Sequence, residues 1–420
     1  MNIHRERKGE VMAQIGWIDF SPEHRERVSA VLDLLKPEGV VDELGIGSIR
    51  DAFADKMFPG ISTIQTKAKY FFIVPYILYE YQLLSLARQK SKTPEKHLEE
   101  REYEVMWELA EKYEHKVGCG VIGITKYKPE KIMRRPSAIY WNGLDIFGVI
   151  RHGGLGVNSF LRSRMERTET LTSDIAQGDD APRDDADVDY INRLNLKIPF
   201  DKDWAENLSL DLTPKEADIL YHRIREAGRE LLIGVLLEDK ELFANFENTE
   251  SFADFTKIAA SGNKLNQHIR EILTLAHDFS ELMYGANITY NCLLQENKFN
   301  NNAYSDEWSE WIENIDSNMI DYKHFNPDKV FEHVHRVRPH TRQFVYDWWD
   351  YVNASSHPIS KRNELTEVQE FNTKLVKARI RQNKYDDIKE KTWIGLKKLE
   401  YRMPNAKIIL QDIFDGLRKA

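Results

Sequence analysis

Cysteine is scarce in this sequence: among 420 residues, only Cys119 and Cys292 are cysteines. Two cysteines cannot build a disulfide scaffold or a cysteine-rich zinc module, so both of these protein classes are excluded. Two small side chains buried in a reducing cytosol explain the pair better. The cysteine content therefore favours a cytoplasmic protein.

Long apolar runs are missing as well. A membrane-spanning helix requires roughly 18 to 20 uninterrupted apolar residues. The densest run here, residues 70–79, lies between Lys69 and Glu80 and is much shorter than that. The charged residues at the start of the chain precede no apolar stretch, which excludes a secretory signal. We expect residues 1–13 to be a disordered tail, and we expect no membrane partner.

The sequence also lacks the signatures of common catalytic and cofactor sites. The phosphate-binding glycine pattern that ends in lysine is absent, and no Ser–His–Asp or Cys–His arrangement is recognisable. His333, His335 and His340 do not have the spacing of metal ligands on one helix face. We therefore expect no cofactor and no metal, and a binding role in preference to an enzymatic one.

Apolar residues at helical spacing are plentiful. Hydrophobic residues make up 41% of the chain and aromatic residues 11%, which is enough material for packed cores. The length exceeds that of one ordinary core. The predicted fold class is mainly α, with two helical units joined by an acidic linker. One or two short strands, near residues 15–20 and 118–126, are expected in the N-terminal unit.

Charge is distributed unevenly along the chain. The formal net charge is −9, yet residues 323–420 hold 20 Lys/Arg against 13 Asp/Glu. Residues 173–189 contain seven aspartates, and this stretch has almost no aliphatic anchor, which is typical of an exposed loop or linker. The predicted organisation is an N-terminal domain over 14–165, an acidic linker over 166–190 and a C-terminal helical domain over 191–420.

Capping residues mark several helix starts. Ser62 and Gln65 form a capping-box pattern that predicts a helix over about residues 62–88. Thr213 and Glu216 form a second capping box, with proline at the first helical position. Near the C-terminus, apolar periodicity predicts a helix over residues 364–382.

Two helix starts in the N-terminal half are candidate anion sites, because backbone N–H groups at a helix N-terminus attract negative charge. One is a glycine-containing turn, and the other is an arginine pair before Pro136. A plain capped turn and a solvated arginine pair are the alternatives. The candidate residues are Gly45, Gly47, Ser48, Arg50, Lys67, Lys69, Arg134 and Arg135.

A third candidate is a basic stripe on the helix predicted over residues 364–382. Its spacing places the cations on one side, where they can follow a phosphate backbone. Arg379 projects toward the apolar side and needs a carboxylate or phosphate partner there. A solvated helix face is the alternative. The stripe consists of Lys374, Lys377, Arg381 and Lys384.

Several stretches resemble a known bacterial family. They are residues 15–21 (IGWIDFS), 42–77 (DELGIGSIRDAFADKMFPGISTIQTKAKYFFIVPYI), 120–123 (GVIG) and 135–141 (RPSAIYW). Together they resemble the family catalogued as domain of unknown function 6361, over roughly residues 14–420. The resemblance implies a bacterial cytoplasmic protein, in a setting of phage-defence or mobile-element gene clusters. It implies no catalytic residues, because no activity is established for that family.

These observations predict a non-enzymatic binding or scaffolding component of a multi-protein system that acts near nucleic acid. The expected partners are DNA or RNA and other proteins of the same operon. One alternative is an enzyme whose site is assembled from distant residues, such as a metal-dependent nuclease or a nucleotide-using enzyme. A pure protein–protein adaptor is the other.

Overall fold

The computed structural model describes residues 41–164, 194, 196–316, 325–334 and 336–419. The predicted tail, the predicted strand at 15–20 and the predicted acidic linker lie outside these residues. Within them the chain is mainly helical, as the sequence predicts. The described residues contain a single isolated β-bridge, between Ile150 and Leu196. None of the described helices is both long and apolar enough to cross a membrane.

The helices of the first part of the chain are α1 (Gly47–Met57), α2 (Tyr70–Gln82), α3 (Leu86–Ser91), α4 (Pro94–Lys112) and α5 (Pro136–Ile146). Helix α2 packs against α4 and α5. All of its residues from Tyr70 to Leu78 are buried. Burial on every side explains why this helix is apolar all round instead of amphipathic.

The later part of the chain contains one long helix, α10, which several of the other helices contact. The helices of this part are α6 (Pro214–Ala227), α7 (Leu232–Glu238), α8 (Lys240–Asn248), α9 (Phe252–Ser261), α10 (Gln267–Phe299), α11 (Ser305–Asp316), α12 (Pro327–His333), α13 (Pro339–Val352), α14 (Ile359–Lys374), α15 (Arg379–Gln382) and α16 (Met403–Arg418). Helix α10 contacts α1, α9, α11, α12, α14 and α15. Its position explains why nearly all of its central residues are buried.

Local capping signals fix several of these helices. Thr213 and Glu216 form the predicted capping box: the Glu216 carboxylate accepts from the Thr213 N–H at 2.8 Å, and the Thr213 hydroxyl accepts from the Glu216 N–H at 3.3 Å. Helix α10 begins after Asn266, whose side chain accepts from the Ile269 N–H, and ends at Asn300 in the left-handed conformation. Such signals need only neighbouring residues, so the sequence predicts them well.

The helix predicted over 62–88 starts too early. Gln65 accepts from the Ser62 N–H at 3.2 Å, but its amide also donates to the Gly60 carbonyl at 3.0 Å. Ser62 therefore closes a turn instead of capping a helix, and α2 begins only at Tyr70.

The strand predicted near 118–126 is wrong, because this stretch consists of turns. Gly118, Gly120 and Gly123 have φ values of +90°, +92° and +78°. Positive φ at three closely spaced positions interrupts extended backbone. Val121 and Ile122, which lie between these glycines, favour a strand only when the geometry of the glycines is left out of account.

The helix predicted over 364–382 is wrong in its second half. Helix α14 ends at Lys374, residues Leu375–Lys377 form a 3-10 turn, and α15 then begins at Arg379. Leu375 reverses the chain with φ +52°. The apolar period gives no signal for this break, because neither glycine nor proline occurs there.

Buried apolar residues from both predicted units belong to one continuous core. Phe53 in α1 packs its ring 6.3 Å from Phe279 in α10 and 6.0 Å from Tyr401. Helix α16, at the C-terminal end, packs against α6. The predicted two-unit architecture is therefore not confirmed among the described residues.

Candidate nucleic-acid interface

The turn that contains Gly45, Gly47 and Ser48 does precede a helix. The Asp42 carboxylate accepts from the Ile46 N–H at 3.0 Å and from the Gly47 N–H at 2.6 Å. These are the donors that a bound phosphate would use. Arg50 lies 2.9 Å from the Asp51 carboxylate. An internal carboxylate thus occupies the anion position at the start of α1.

Lys67 and Lys69 also meet carboxylates of their own chain. The Lys67 ammonium lies 2.7 Å from Asp412, which accepts from the Ala68 N–H as well, at 2.9 Å. The Lys69 ammonium lies 2.6 Å from Glu216, and both side chains are almost fully buried. Burial raises the pKa of Asp412, whereas Lys67 and the Ala68 N–H oppose this rise. Both lysines join the start of α2 to helices far along the chain.

Arg134 and Arg135 precede α5, where a third carboxylate takes the anion position. Glu102 of α4 is fully buried and lies 3.0 Å from the Arg135 guanidinium. It accepts from the Ser137 N–H at 2.5 Å and from the Ser137 hydroxyl at 3.0 Å. Burial raises the pKa of Glu102 to about 7, although Arg135 and Ser137 both lower it. Arg134, next to this site, is half-buried.

The predicted basic stripe is not one helix face, because α14 ends inside it. Lys374 lies 3.2 Å from Glu43, and Arg379 lies 3.8 Å from Glu43 and 2.5 Å from Asp387. Arg379 thereby has the carboxylate partners that its inward direction requires. Outside this group, Arg381 pairs with Glu367 at 2.9 Å.

Two buried carboxylates fix the break after α14. Glu370 accepts from the Arg379 N–H at 2.5 Å and from the Ile380 N–H at 3.1 Å, so it caps the next turn. Burial raises the pKa of Glu370, and the nearby Glu43 charge adds to this rise. Burial also raises the pKa of Glu43, against the opposing effects of Lys374 and Arg379. This network holds the local backbone in place.

A longer basic segment emerges around the stripe, and we name residues 374–398 the basic strap. It holds nine Lys/Arg against three Asp/Glu. Within the strap only short helical turns occur, and the chain is otherwise irregular. Six of its lysines are exposed: Lys377, Lys384, Lys389, Lys391, Lys397 and Lys398. The sequence analysis does not identify the last four as candidate binding residues, because they follow no helical period.

Buried polar side chains of α10 bind the backbone of the strap. Asn291 donates to the Ile394 carbonyl at 2.9 Å and accepts from the Ile394 N–H at 2.8 Å. Gln295, one turn later, donates to the Lys389 carbonyl at 3.3 Å and accepts from the Lys391 N–H at 3.0 Å. The strap has little regular secondary structure, so its backbone N–H and C=O groups need other hydrogen-bond partners. The side chains of Asn291 and Gln295 provide these partners.

Two further contacts extend this attachment. The Lys298 ammonium donates to the Ile388 carbonyl at 2.6 Å, near the C-terminal end of α10. Near the middle of α10, the Ser280 hydroxyl accepts from the N–H of Leu399, the residue that follows the strap, at 2.7 Å. A sequence signal for this attachment exists in α10: polar residues occur at positions 280, 291, 295 and 298, among the apolar residues of this helix.

An aromatic group lies at the C-terminal end of the strap. The Trp393 ring is stacked 6.1 Å from the Tyr284 ring, and the Tyr304 ring meets it edge-on at 5.3 Å. Lys397 lies 5.2 Å over the Trp393 ring, and Lys398 lies 5.1 Å over the Tyr284 ring. Cation–π contacts of this kind keep lysine stems close to the protein while the charge stays at the surface.

The histidines between residues 333 and 340 and the acidic pair of the strap are the residues to examine for a metal site. No group of three His, Cys, Asp or Glu side chains among the described residues is arranged to hold a metal ion. Of the acidic pair in the strap, Asp387 is bound by Arg379, while Asp386 is exposed. His335 lies outside the described residues.

A family model matches residues 12–384, and it is described as a family of unknown function, DUF6361. The chain belongs to this family. The match confirms the resemblance seen in the sequence. A comparison with curated proteins finds no match, and a comparison with solved structures finds none either.

The stretches that resemble DUF6361 also hold the internal ion contacts. Residues 42–77 include Asp42, Lys67 and Lys69, and residues 135–141 include Arg135. Each of these side chains bonds within its own chain. The DUF6361 match ends at residue 384, inside the basic strap. The segments that carry the family resemblance therefore contribute to the fold of this chain.

Proposed function

We propose that this protein is a non-enzymatic binding component that holds a nucleic acid on its basic strap. The observation that carries the proposal is the concentration of exposed lysines in the strap. The backbone of the strap is held by hydrogen bonds from Asn291 and Gln295 of α10. Exposed ammonium groups gain affinity for a polyanion by releasing the counterions of its phosphates.

The charge of the rest of the chain supports this choice of surface. The whole chain has a net charge of −9, whereas the strap has six more positive than negative side chains. A polyanion is repelled by an acidic surface and attracted by a local basic one, so the strap would also orient the ligand. Lys67, Lys69 and Arg135 support the proposal less, because carboxylates already pair with them. Within the strap, Lys398 also pairs with a carboxylate, that of Glu281 at 2.8 Å.

The proposal about the setting is supported by the family resemblance and the composition. We propose a bacterial cytoplasmic protein that works with other proteins of its operon, in a phage-defence or mobile-element system. No cofactor is part of this proposal. The predicted units 14–165 and 191–420 would bring the strap to its partners as parts of one scaffold.

Binding of labelled DNA and RNA, measured by fluorescence anisotropy at several salt concentrations, tests the proposal. The logarithm of the binding constant should fall with the logarithm of salt concentration with a slope of about −4 to −5, since each of about five phosphate contacts contributes about −0.9 on duplex DNA. Lys389→Gln with Lys391→Gln should reduce the steepness of this slope by about 2.

A matched control removes the same charge elsewhere. Lys240 in α8 and Lys257 in α9 are both exposed and lie outside the strap. Lys240→Gln with Lys257→Gln should leave the slope unchanged. Equal losses in the two double variants would place the binding surface outside the strap. No binding to any nucleic acid would overturn the proposal and favour a protein–protein adaptor.

A further inference from the structure

Two exposed apolar side chains interrupt the lysines of the basic strap. Leu375 is 49% exposed and Val376 is 72% exposed, and both belong to the 3-10 turn after α14. Lys377 follows directly in the chain, and the Lys384 ammonium donates to the Val376 carbonyl. The apolar pair therefore lies among cations at the surface.

The backbone at Leu375 is unfavourable for leucine. Its φ of +52° and ψ of −120° are close to those of the second residue of a type II′ turn, where glycine dominates. A leucine there is strained, and its half-exposed side chain recovers little by burial. Folding alone would favour glycine at this position. An apolar side chain that is presented on such a turn is explained better by contact with a ligand.

Both ends of the turn are held firmly. Lys374, before it, is bound by Glu43, and the N–H groups of Arg379 and Ile380, after it, are bound by Glu370. Glu43 and Glu370 are themselves buried. The apolar pair consequently projects from a fixed base and not from a loose loop.

An apolar projection flanked by cations matches the chemistry of proteins that kink duplex DNA. Cations hold the phosphates, and an aliphatic side chain enters between base pairs and partly unstacks them. Single strands instead stack their bases on aromatic rings. Two aromatic rings belong to the strap. Trp393 is already in contact with Lys397 and Tyr284, and half-buried Tyr385 donates its hydroxyl to the Ile380 carbonyl. The charge and the aliphatic character together favour a duplex.

We propose that Leu375 and Val376 enter the base stack of duplex DNA that is bound on the basic strap. This inference rests on the proposed function, because the strap must first hold the duplex. Insertion bends the duplex by about 20–90°. It is easiest where base pairs are already weakened, so a duplex with a central mismatch is expected to bind about tenfold more tightly than a matched duplex.

The experiment compares the two duplexes by anisotropy and measures bending by energy transfer between dyes at the duplex ends. Leu375→Gly with Val376→Ser removes the projection while a glycine suits the backbone. This variant should still bind, but the mismatch preference and the bend should both disappear. Ile359→Ser is the matched control, because Ile359 is 64% exposed at the start of α14 and outside the strap. It should keep both properties.

The charge variant separates this inference from the proposed function. Lys389→Gln with Lys391→Gln should weaken binding to both duplexes by the same factor and keep the tenfold preference. Salt-sensitive binding with no bend and no mismatch preference in the unaltered protein would overturn the proposed insertion of Leu375 and Val376. The proposal that the strap binds nucleic acid would still hold. Tighter binding to single strands than to duplexes would also overturn the proposed insertion. Absence of all binding would overturn both proposals.

Discussion

The buried ion pair between Lys69 and Glu216 allows a quantitative test of how the fold holds together. Lys69 directly precedes α2 and Glu216 lies in the first turn of α6, so the segment 165–193 separates the two residues in the sequence. We consider Lys69→Met, which replaces the ammonium with an apolar side chain of similar length. The change leaves the Glu216 carboxylate buried without its cation.

The size of the effect follows from the contacts of Glu216. Its carboxylate lies 2.6 Å from Lys69 and also accepts from the Tyr76 hydroxyl at 3.1 Å. Removing one partner of a buried pair typically costs about 3–5 kcal/mol. We expect Lys69→Met to fall in that range, toward its lower end, because Tyr76 and the Thr213 N–H still bond the carboxylate.

A second variant keeps the capping box while it removes the charge. In Glu216→Gln the side-chain oxygen can still accept from the Thr213 N–H, so the start of α6 is preserved. The double variant Lys69→Met with Glu216→Gln should lose less stability than the two single variants together. Residues in direct contact typically couple by about 0.5–3 kcal/mol, and we expect a value near the upper end.

Urea unfolding, followed by circular dichroism and by tryptophan fluorescence, measures all four proteins. Because the described helices share one core, both probes should report the same transition, and Lys69→Met should shift it for both. A loss below about 1 kcal/mol in Lys69→Met would refute the reasoning. Two separate transitions, of which only one shifts, would support the two-unit architecture instead.

Two further predictions concern other buried polar groups. Burial raises the pKa of Glu102 to about 7, so the folded state holds this proton more tightly than the unfolded state does. Relative to Glu102→Gln, the free energy of unfolding of the unaltered protein should therefore fall by on the order of 3 kcal/mol as the pH rises from about 4.5 to about 7. Urea unfolding of both proteins at several pH values measures this, and a difference between them that stays constant across that range contradicts the prediction. Asn291→Leu leaves the N–H and C=O groups of Ile394 without their partner. This change should lower the free energy of unfolding by about 2–4 kcal/mol and speed tryptic cleavage within the basic strap. A cleavage pattern like that of the unaltered protein would show that other contacts hold the strap.

Several local features of the fold could be predicted from the sequence. The sequence predicts the Thr213–Glu216 capping box, and both of its hydrogen bonds are present at the start of α6. Such features depend on residues within one turn of each other, so a sequence window contains all the necessary groups. The mainly helical class followed from the same local periodicity.

The candidate site was less predictable, because its decisive contacts join residues far apart in the chain. The residues that demand an anion, such as Arg135 and Lys67, were recognised from their positions near helix starts. Their partners Glu102 and Asp412 were not, since nothing local distinguishes a carboxylate that turns inward from one that faces water.

The sequence by itself determined that this protein is mainly helical, where several helices begin, and which family it belongs to. Only the tertiary structure decided that α14 ends at Lys374 and that the strap lies along α10. The physical reason is the range of the forces involved. Helix caps and periodicity act between neighbours, whereas burial turns distant polar groups such as Glu370 and Asn291 into obligatory partners for the backbone.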